Sequence, residues 1–390
     1  MPKTIALICG TRPEIIKMAP VYHAIAATPG LKPFLVHSGQ HTDLAQPVYE
    51  LFGMRPDCNI ELSREKPDLA HLSAILLESL FDALNQAKPV AVLVHGDTTT
   101  AAMGALASFY LQIPVGHVEA GLRTGERYSP FPEEMNRTII GRIAHWHFSP
   151  TERSRSALLA EGIPEPTIEV TGNTVIDAAL LMSGRISADT AHRTQVQAWV
   201  DSQVARHRRL VLVTAHRREN WGQGLREIAQ SVVHILQDNP DCCVLWPMHA
   251  NPAVKEVILQ EIEHIQGISE RLLLTQPIDY PDLIWALSNS WAVLTDSGGI
   301  QEEAVAFKSP VLVLRDSTER PELIEAGGGR LVGANRQRIV ETFTELTQNP
   351  QMHAAMRACA NPFGDGQAAQ RIRDALLLTL DRPEPVIETQ

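Results

Sequence analysis

The sequence predicts an α/β protein of two doubly wound domains, each a parallel sheet flanked by helices. Two observations lead there. Short apolar runs, at residues 5–9, 34–37, 90–95, 115–118, 210–214, 242–246, 272–275, 292–295 and 311–314, are bounded by Gly, Pro, Asp or His. Longer stretches with helical periodicity lie between them, for example 69–85, 225–238 and 253–265. Strands that alternate with helices over such a length form a parallel sheet covered on both faces. The length itself, 390 residues, fits two domains of ordinary size.

The first strand runs from Ile5 to Cys9 and ends at Gly10-Thr11-Arg12-Pro13-Glu14, where Gly10 permits a turn and Pro13 suits the first turn of a helix. Residues 182–207 interrupt the alternation: Ser183-Gly184 is followed by a polar segment with no strand-like run. The domain boundary is expected there, giving an N-terminal Rossmann-like domain (1–182) and a C-terminal one (183–366). After the breaker Asn361-Pro362-Phe363-Gly364, residues 367–390 hold an amphipathic helix ending near 380, then a polar, Pro-containing tail expected to fray. Neither half opens with GxGxxG, so a tightly held dinucleotide is not expected.

Composition narrows the function. A net charge of −11 and a pI near 5.8 argue against nonspecific nucleic-acid binding and anionic membranes. No run of 18 apolar residues exists, and the N-terminal run is too short for a signal segment, so neither a membrane span nor an export signal is expected. The five cysteines show no metal-finger spacing; Cys9, Cys242 and Cys243 read as small buried hydrophobes, which fits a reducing cytoplasm. Arg12, Arg217, Arg218, Arg315 and Arg320 all fall at candidate turns, where a small anion would be held. Arg206, Arg208 and Arg209 read as surface ion pairs.

In open α/β sheets ligands bind beyond the carboxyl ends of strands, so the chemistry belongs to those turns. Asp296-Ser297-Gly298-Gly299-Ile300-Gln301-Glu302-Glu303 follows a buried strand and opens a helix. Its small residues leave backbone N–H groups open at a helix N-terminus, an anion site. Its carboxylates suit the hydroxyls of a sugar, so the segment suggests a phosphorylated sugar or nucleotide. Arg12 and Lys17 flank the first helix start and read as either anion ligands or structural charges. Asp97, after the strand ending at His95, reads as an acid/base group or a helix N-cap. Glu119 follows the next strand. Glu133 and Glu134 open a helix and can act chemically or simply favour its dipole. His216, between a strand and Arg217-Arg218, suits phosphate contact or proton relay; His249 ranks second. Arg315 and Arg320, beyond the following strand, can grip a diphosphate. The His and carboxylates lack close ligand spacing, so no metal is expected.

In this order the segments resemble the non-hydrolysing UDP-N-acetylglucosamine 2-epimerases of bacterial type. The matching pieces are Gly10-Thr11-Arg12-Pro13-Glu14 with Lys17, His95-Gly96-Asp97-Thr98, Glu119-Ala120-Gly121-Leu122-Arg123 and Pro132-Glu133-Glu134-Met135-Asn136-Arg137. Gly172-Asn173-Thr174, His216-Arg217-Arg218-Glu219-Asn220, residues 296–303 and Thr318-Glu319-Arg320-Pro321-Glu322 complete the set. The ordered set is far more specific than any one piece.

The resemblance implies a GT-B-like fold: two Rossmann-like domains whose sheets face a central cleft, with a C-terminal helix returning to the first domain. It implies interconversion of UDP-GlcNAc and UDP-ManNAc at C2, with no cofactor and no metal. Arg12, Lys17, Arg137, His216, Ser297, Gly298, Gly299 and Arg320 would hold substrate, and Glu303 the ribose hydroxyls. Asp97, Glu119 and Glu133 would share the proton transfers and His216 assist departure of the diphosphate. A cytoplasmic homodimer is the family expectation, with UDP as the other ligand. Ile278 and Leu283 stand where a Gln and an aromatic residue often line the uracil pocket. Gln40-His41 keeps the start of a second, activating substrate site, but Asp43 and Lys66 depart from it. Thr11 and Glu14 favour plain GlcNAc over modified sugars. Two other classes share these features: a GT-B glycosyltransferase, which would need an acceptor groove, and a nucleotide-sugar-binding regulator without turnover.

Overall fold

A computed structural model describes residues 2–40, 42–63, 66–189, 191–262, 267–268 and 270–380, and the side chains of 42–44 are not described. His41 and the Asp43 side chain of the second-site motif, the end of the helical period 253–265 and the tail from Asp381 therefore lie outside the described residues.

The first sheet has seven parallel strands in the order β3-β2-β1-β4-β5-β6-β7. They are β1 (Lys3–Cys9), β2 (Leu31–His37), β3 (Cys58–Asn59), β4 (Ala91–His95), β5 (Val115–Val118), β6 (Trp146–Ser149) and β7 (Ile168–Val170). The second has six, also parallel, in the order β10-β9-β8-β11-β12-β13. These are β8 (Arg209–Thr214), β9 (Cys242–Pro247), β10 (Leu272–Thr275), β11 (Ser290–Thr295), β12 (Val311–Val313) and β13 (Gly329–Leu331). All nine apolar runs of the sequence are strands. Central strands such as β1, where Ile5 to Ile8 are fully buried, are covered on both faces, so their sequences are continuously apolar.

The four strands that carry no apolar run are short or mixed. β6 reads Trp-His-Phe-Ser, yet it is buried throughout. Its His147 and the His117 of β5 are accommodated by backbone carbonyls, with His147 Nε2 2.8 Å from Gly141 O and His117 Nε2 2.7 Å from Gly96 O. Helices fill the faces by the same logic. The helix Leu69–Ala87 buries Leu72, Leu76, Leu80 and Leu84, one per turn, and Asp68 caps it by accepting the His71 N–H at 2.8 Å. Each leucine contributes about 2 kcal/mol of burial.

The described residues group into two compact units, one within Met1–Ala178 plus Phe363–Gln390, the other Ala179–Pro362. The division falls inside the helix Thr174–Ala188 and before Phe363, a few residues ahead of the expected 182/183 and 366/367. Phe363 joins the first unit because its carbonyl accepts the Asn173 N–H at 2.7 Å. Gly172 and Gly364, both at positive φ, pack backbone on backbone there; a Cβ on Gly172 would lie 3.2 Å from Gly364 Cα. The helix Ala368–Leu380 is anchored on the same unit, with Asp177 Oδ1 accepting the Ala369 N–H at 2.9 Å and Trp146 Nε1 donating to Thr379 Oγ1 at 3.2 Å. Among the described residues, no helix is long and apolar enough to cross a membrane.

Candidate active site

Each sheet reverses its strand order once, between β1 and β4 in the first unit and between β8 and β11 in the second. Beyond the carboxyl ends of such neighbours the loops diverge and leave a crevice. The turns that follow β1, β4, β8 and β11, which carry Arg12, Asp97, His216 and Ser297, flank these crevices.

In the first unit, Thr11 caps the helix Arg12–Ala26 and Glu14 turns inward. Its Oε2 accepts the N–H groups of Gly10 (2.9 Å) and Thr11 (2.7 Å), and Thr98 Oγ1 donates to Oε1 at 2.5 Å. Burial raises the Glu14 pKa against these hydrogen bonds. This carboxylate shapes the turn through both of its oxygens. Arg12 is half-buried at the helix start.

Asp97 lies just past β4. It is not the N-cap of the next helix; Thr98 is, accepting the Ala101 N–H at 3.0 Å. The Asp97 carboxylate instead meets Arg137 Nη2 at 2.7 Å. Burial pushes its pKa up to about 6 although Arg137 opposes the shift, and the charges of Glu119 and Glu133 push the same way as burial. Glu119, past β5, holds a left-handed backbone (φ 66°) and is paired with Lys17. Asn173 Nδ2 donates to its Oε1 at 2.9 Å, and His95 Nε2 stands 3.7 Å from Oε2. His95 is buried and neutral, its pKa pushed down to about 4 by desolvation. The adjacent glutamates at the start of the helix Glu133–Ile143 divide their tasks. Glu134 is buried and accepts the Thr124 and Gly125 N–H groups, while Glu133 is half-buried.

In the second unit, Asp296 is wholly buried past β11. It accepts the N–H groups of His216 and Arg217, each at 2.9 Å, and the Asn220 amide at 3.0 Å, and its Oδ1 lies 3.4 Å from His216 Nδ1. Asp296 thus orients the turn that carries His216, whose ring remains 44% exposed. The helix Gly298–Ala306 begins at Ser297, and nothing within 4 Å would meet a Cβ at Gly299, so its N-terminus is open. Arg320 pairs through Nε with the buried Glu302 and lies beside Gly298, where a Cβ would come 3.9 Å from its guanidinium carbon. Glu302 is therefore a partner of Arg320, and Glu303, also buried, is the other glutamate of the turn. Arg315 pairs with Glu219 at 2.7 Å and Arg217 with Glu319 at 3.7 Å. Ile278 and Leu283 are both half-buried, flanking the start of the helix Tyr280–Asn289, and His249 packs near Trp221, ring centres 6.0 Å apart.

This layout of turns has known counterparts. The sequence profile of the family described as UDP-N-acetylglucosamine 2-epimerase matches residues 23–377. The chain is 44% identical over 372 residues to the UDP-N-acetylglucosamine 2-epimerase of Escherichia coli K12, covering 95% of this chain and 97% of that one. It belongs to the UDP-N-acetylglucosamine 2-epimerase family. The crystal structure of the Neisseria meningitidis UDP-GlcNAc 2-epimerase bound to UDP-GlcNAc is similar over 96% of this chain and all of that one, with a TM-score of 0.83 and 38% identity. The Methanocaldococcus jannaschii enzyme in complex with UDP-GlcNAc and UDP covers 96% of this chain and 99% of its own, with a TM-score of 0.75 and 31% identity. The fold is GT-B-like, with two parallel-sheet α/β units.

Within this 2-epimerase framework, the first unit gathers Lys17, Asp97, Glu119, Glu133 and Arg137, and the second gathers His216, Ser297, Gly298, Gly299, Glu303 and Arg320. Two residues gain a place that sequence reasoning did not give them. His95 and Asn173 sat inside quoted motifs, but neither position nor type revealed that both face Glu119. Among the described residues no cluster of His, Cys, Asp and Glu is arranged to hold a metal ion.

Proposed function

We propose that the chain interconverts UDP-GlcNAc and UDP-ManNAc. The observation that carries this reading is the pair Asp97 and Glu119 at the ends of the adjacent strands β4 and β5, each with its own cation, Arg137 and Lys17. Two carboxyl groups in one polar pocket can take a proton from one face of a sugar and return it to the other.

The C2 proton of the sugar has no neighbouring carbonyl, so the route is elimination and re-addition. A carboxylate takes the C2 proton, the C2–H electron pair forms the C1=C2 bond, and the C1–O pair leaves with UDP. The bound 2-acetamidoglucal then receives UDP at C1 and a proton at C2 from the opposite face. Asp97, Glu119 and Glu133 share the proton transfers. The open helix start at Ser297–Gly299, with Arg320 and His216, stabilises the departing diphosphate. Arg12, Lys17 and Arg137 add contacts, Glu303 takes the ribose hydroxyls, and Ile278 and Leu283 border the base.

The product supplies N-acetylmannosamine for cell-surface polysaccharide, in the cytoplasm, where five free thiols fit a reducing medium. The working form is a homodimer, and the neighbouring side chains of Phe109 and Tyr110, 60% and 57% exposed, offer apolar surface to a second copy. Sedimentation equilibrium at twice 43.0 kDa supports the dimer, and the single-chain mass rejects it.

Proton NMR of UDP-GlcNAc with the protein in D2O tests the activity. UDP-ManNAc carrying deuterium at C2 is the expected product. Unchanged substrate, at low and high concentration alike, would overturn the reading.

A further inference from the structure

Glu119 is held more completely than a carboxylate needs for binding. Lys17 and the Asn173 amide both engage Oε1, the amide at 2.9 Å. Oε2 lies on the side of Gly96 and His95: a Cβ on Gly96 would lie 3.5 Å from it, and His95 Nε2 lies 3.7 Å away. Asn173 is itself fixed at both ends: its Oδ1 accepts the Val175 N–H at 3.0 Å and its N–H donates to Phe363 O at 2.7 Å. His95 Nε2 is buried and has no hydrogen-bond partner among the described residues. A buried imidazole nitrogen left in that state normally has a use.

We propose that Asn173 and His95 are positioning residues that fix the Glu119 carboxylate so that Oε2 exchanges the substrate C2 proton. The proposal rests on the epimerase reading and on Glu119 as a proton-transfer group. With Oε1 engaged by an ammonium and an amide, rotation of the carboxylate is blocked. His95 stays neutral because burial holds its pKa near 4, so it adds no charge that would compete with Lys17 for the carboxylate. In the transfer, the proton moves from C2 to Oε2 while the C2–H pair forms the C1=C2 bond and UDP leaves with the C1–O pair. As the carboxyl changes charge the neutral His95 ring closes from 3.7 Å to donate its Nε2–H to Oε2, and neither positioning residue gains or loses a proton.

Among the described residues, the charged and titratable groups facing Glu119 include Lys17 from the first helix and His95 and Asp97 from the β4 end; Arg137 and Glu133, from the helix after β5, act on Asp97. Asn173 carries no charge, so its removal takes a donor from Glu119 without adding or deleting a charge. Losing a donor to the ionised form raises a carboxyl pKa.

The test compares Asn173→Ala, Asn173→Ser, His95→Ala, His95→Gln and Glu119→Gln in kcat, KM, C2 deuterium wash-in and pH profile. Ser at 173 keeps an acceptor for the Val175 N–H but does not reach Glu119, so it guards against a mere loss of folding. Both Asn173 variants should lower kcat and wash-in by about 10- to 100-fold with KM little changed. The Glu119 limb of the profile should move to higher pH. Gln at 95, which keeps a side-chain donor and acceptor, should recover activity relative to Ala. If the Asn173 and His95 variants keep wild-type kcat and profile while Glu119→Gln is inactive, the positioning roles are overturned. If Glu119→Gln turns over normally, it is the underlying role of Glu119 that falls.

Discussion

Arg137 Nη2 lies 2.7 Å from Asp97 Oδ2, and the same guanidinium reaches Glu134 at 3.5 Å. One arginine thus ties the carboxylate past β4 to the loop-holding glutamate of the helix Glu133–Ile143. Arg137 is the cation that restrains Asp97, whose pKa burial has raised to about 6. Arg137→Ala should move the Asp97 titration further up. Whether Asp97 works as base or acid, its limb of the kcat/KM profile shifts to higher pH. A limb left in place would show that Asp97 does not govern it. Asp97→Asn should lower turnover by about 10²- to 10⁴-fold with UDP affinity retained by calorimetry.

The Asp296 carboxylate satisfies two backbone N–H groups and the Asn220 amide with no access to water. Asp296→Ala leaves those donors buried and unpaired, a loss of about 3 kcal/mol or more. Urea denaturation should show it. The His216 turn should loosen with it, so UDP affinity falls although residue 296 is itself buried beneath the turn.

Arg320→Ala should weaken UDP binding by about 2 kcal/mol, the scale of charge-assisted contacts. It also strands the buried Glu302 carboxylate, a stability cost of about 3 kcal/mol. The double variant with Glu302→Gln separates the two effects. Stability should recover while calorimetric UDP affinity stays low. Recovery of both would mean that Arg320 serves Glu302 alone.

His117 is fully buried and neutral, its pKa pushed down to about 3 by desolvation. The unfolded chain takes up the proton near pH 6.5, whereas the folded one does not. The stability tied to this neutral ring is therefore present above pH 6.5 and lost as pH falls, at about 1.4 kcal/mol per unit down towards the folded pKa. His117→Gln, which can still donate to the Gly96 carbonyl, should lose less stability between pH 6.5 and 4.5 in urea titrations than the parent. His95 contributes loss of the same sign, so the slope flattens without vanishing.

Gly10 is the tightest point of the first turn. A Cβ there would lie 2.3 Å from Ser38 Oγ and 2.4 Å from Thr100 Oγ1, hydroxyls already linked to each other at 2.8 Å. Gly10→Ala should cost about 1–3 kcal/mol by chemical denaturation. The shift of the turn should also weaken substrate binding through Arg12, read as a higher KM.

The nine apolar runs became strands because a parallel sheet buried on both faces demands continuous hydrophobicity, and that demand is written locally. The edge strand β13 and the histidine-bearing β6 were not legible. Their burial comes from neighbours far along the chain, such as Thr379 against Trp146. The site divides the same way. Strand-end turns announced themselves by Gly, Ser, Asp and Arg after apolar runs. Adjacent glutamates did not reveal that Glu134 holds a loop, or that Glu302 holds Arg320, because those partners are set by packing.

By itself the sequence determined the two α/β units, the polar turns at the strand ends and the family they belong to, since periodicity, turn residues and motif order are all local properties. The tertiary structure alone decided which carboxylate each cation takes, that Glu14 closes its own turn, and that Asn173 and His95, separated by 78 residues, both face Glu119. Hydrogen bonds and desolvation act through a few ångströms of space, and the order of residues along a chain does not contain those distances until the sheet has brought the strand ends together.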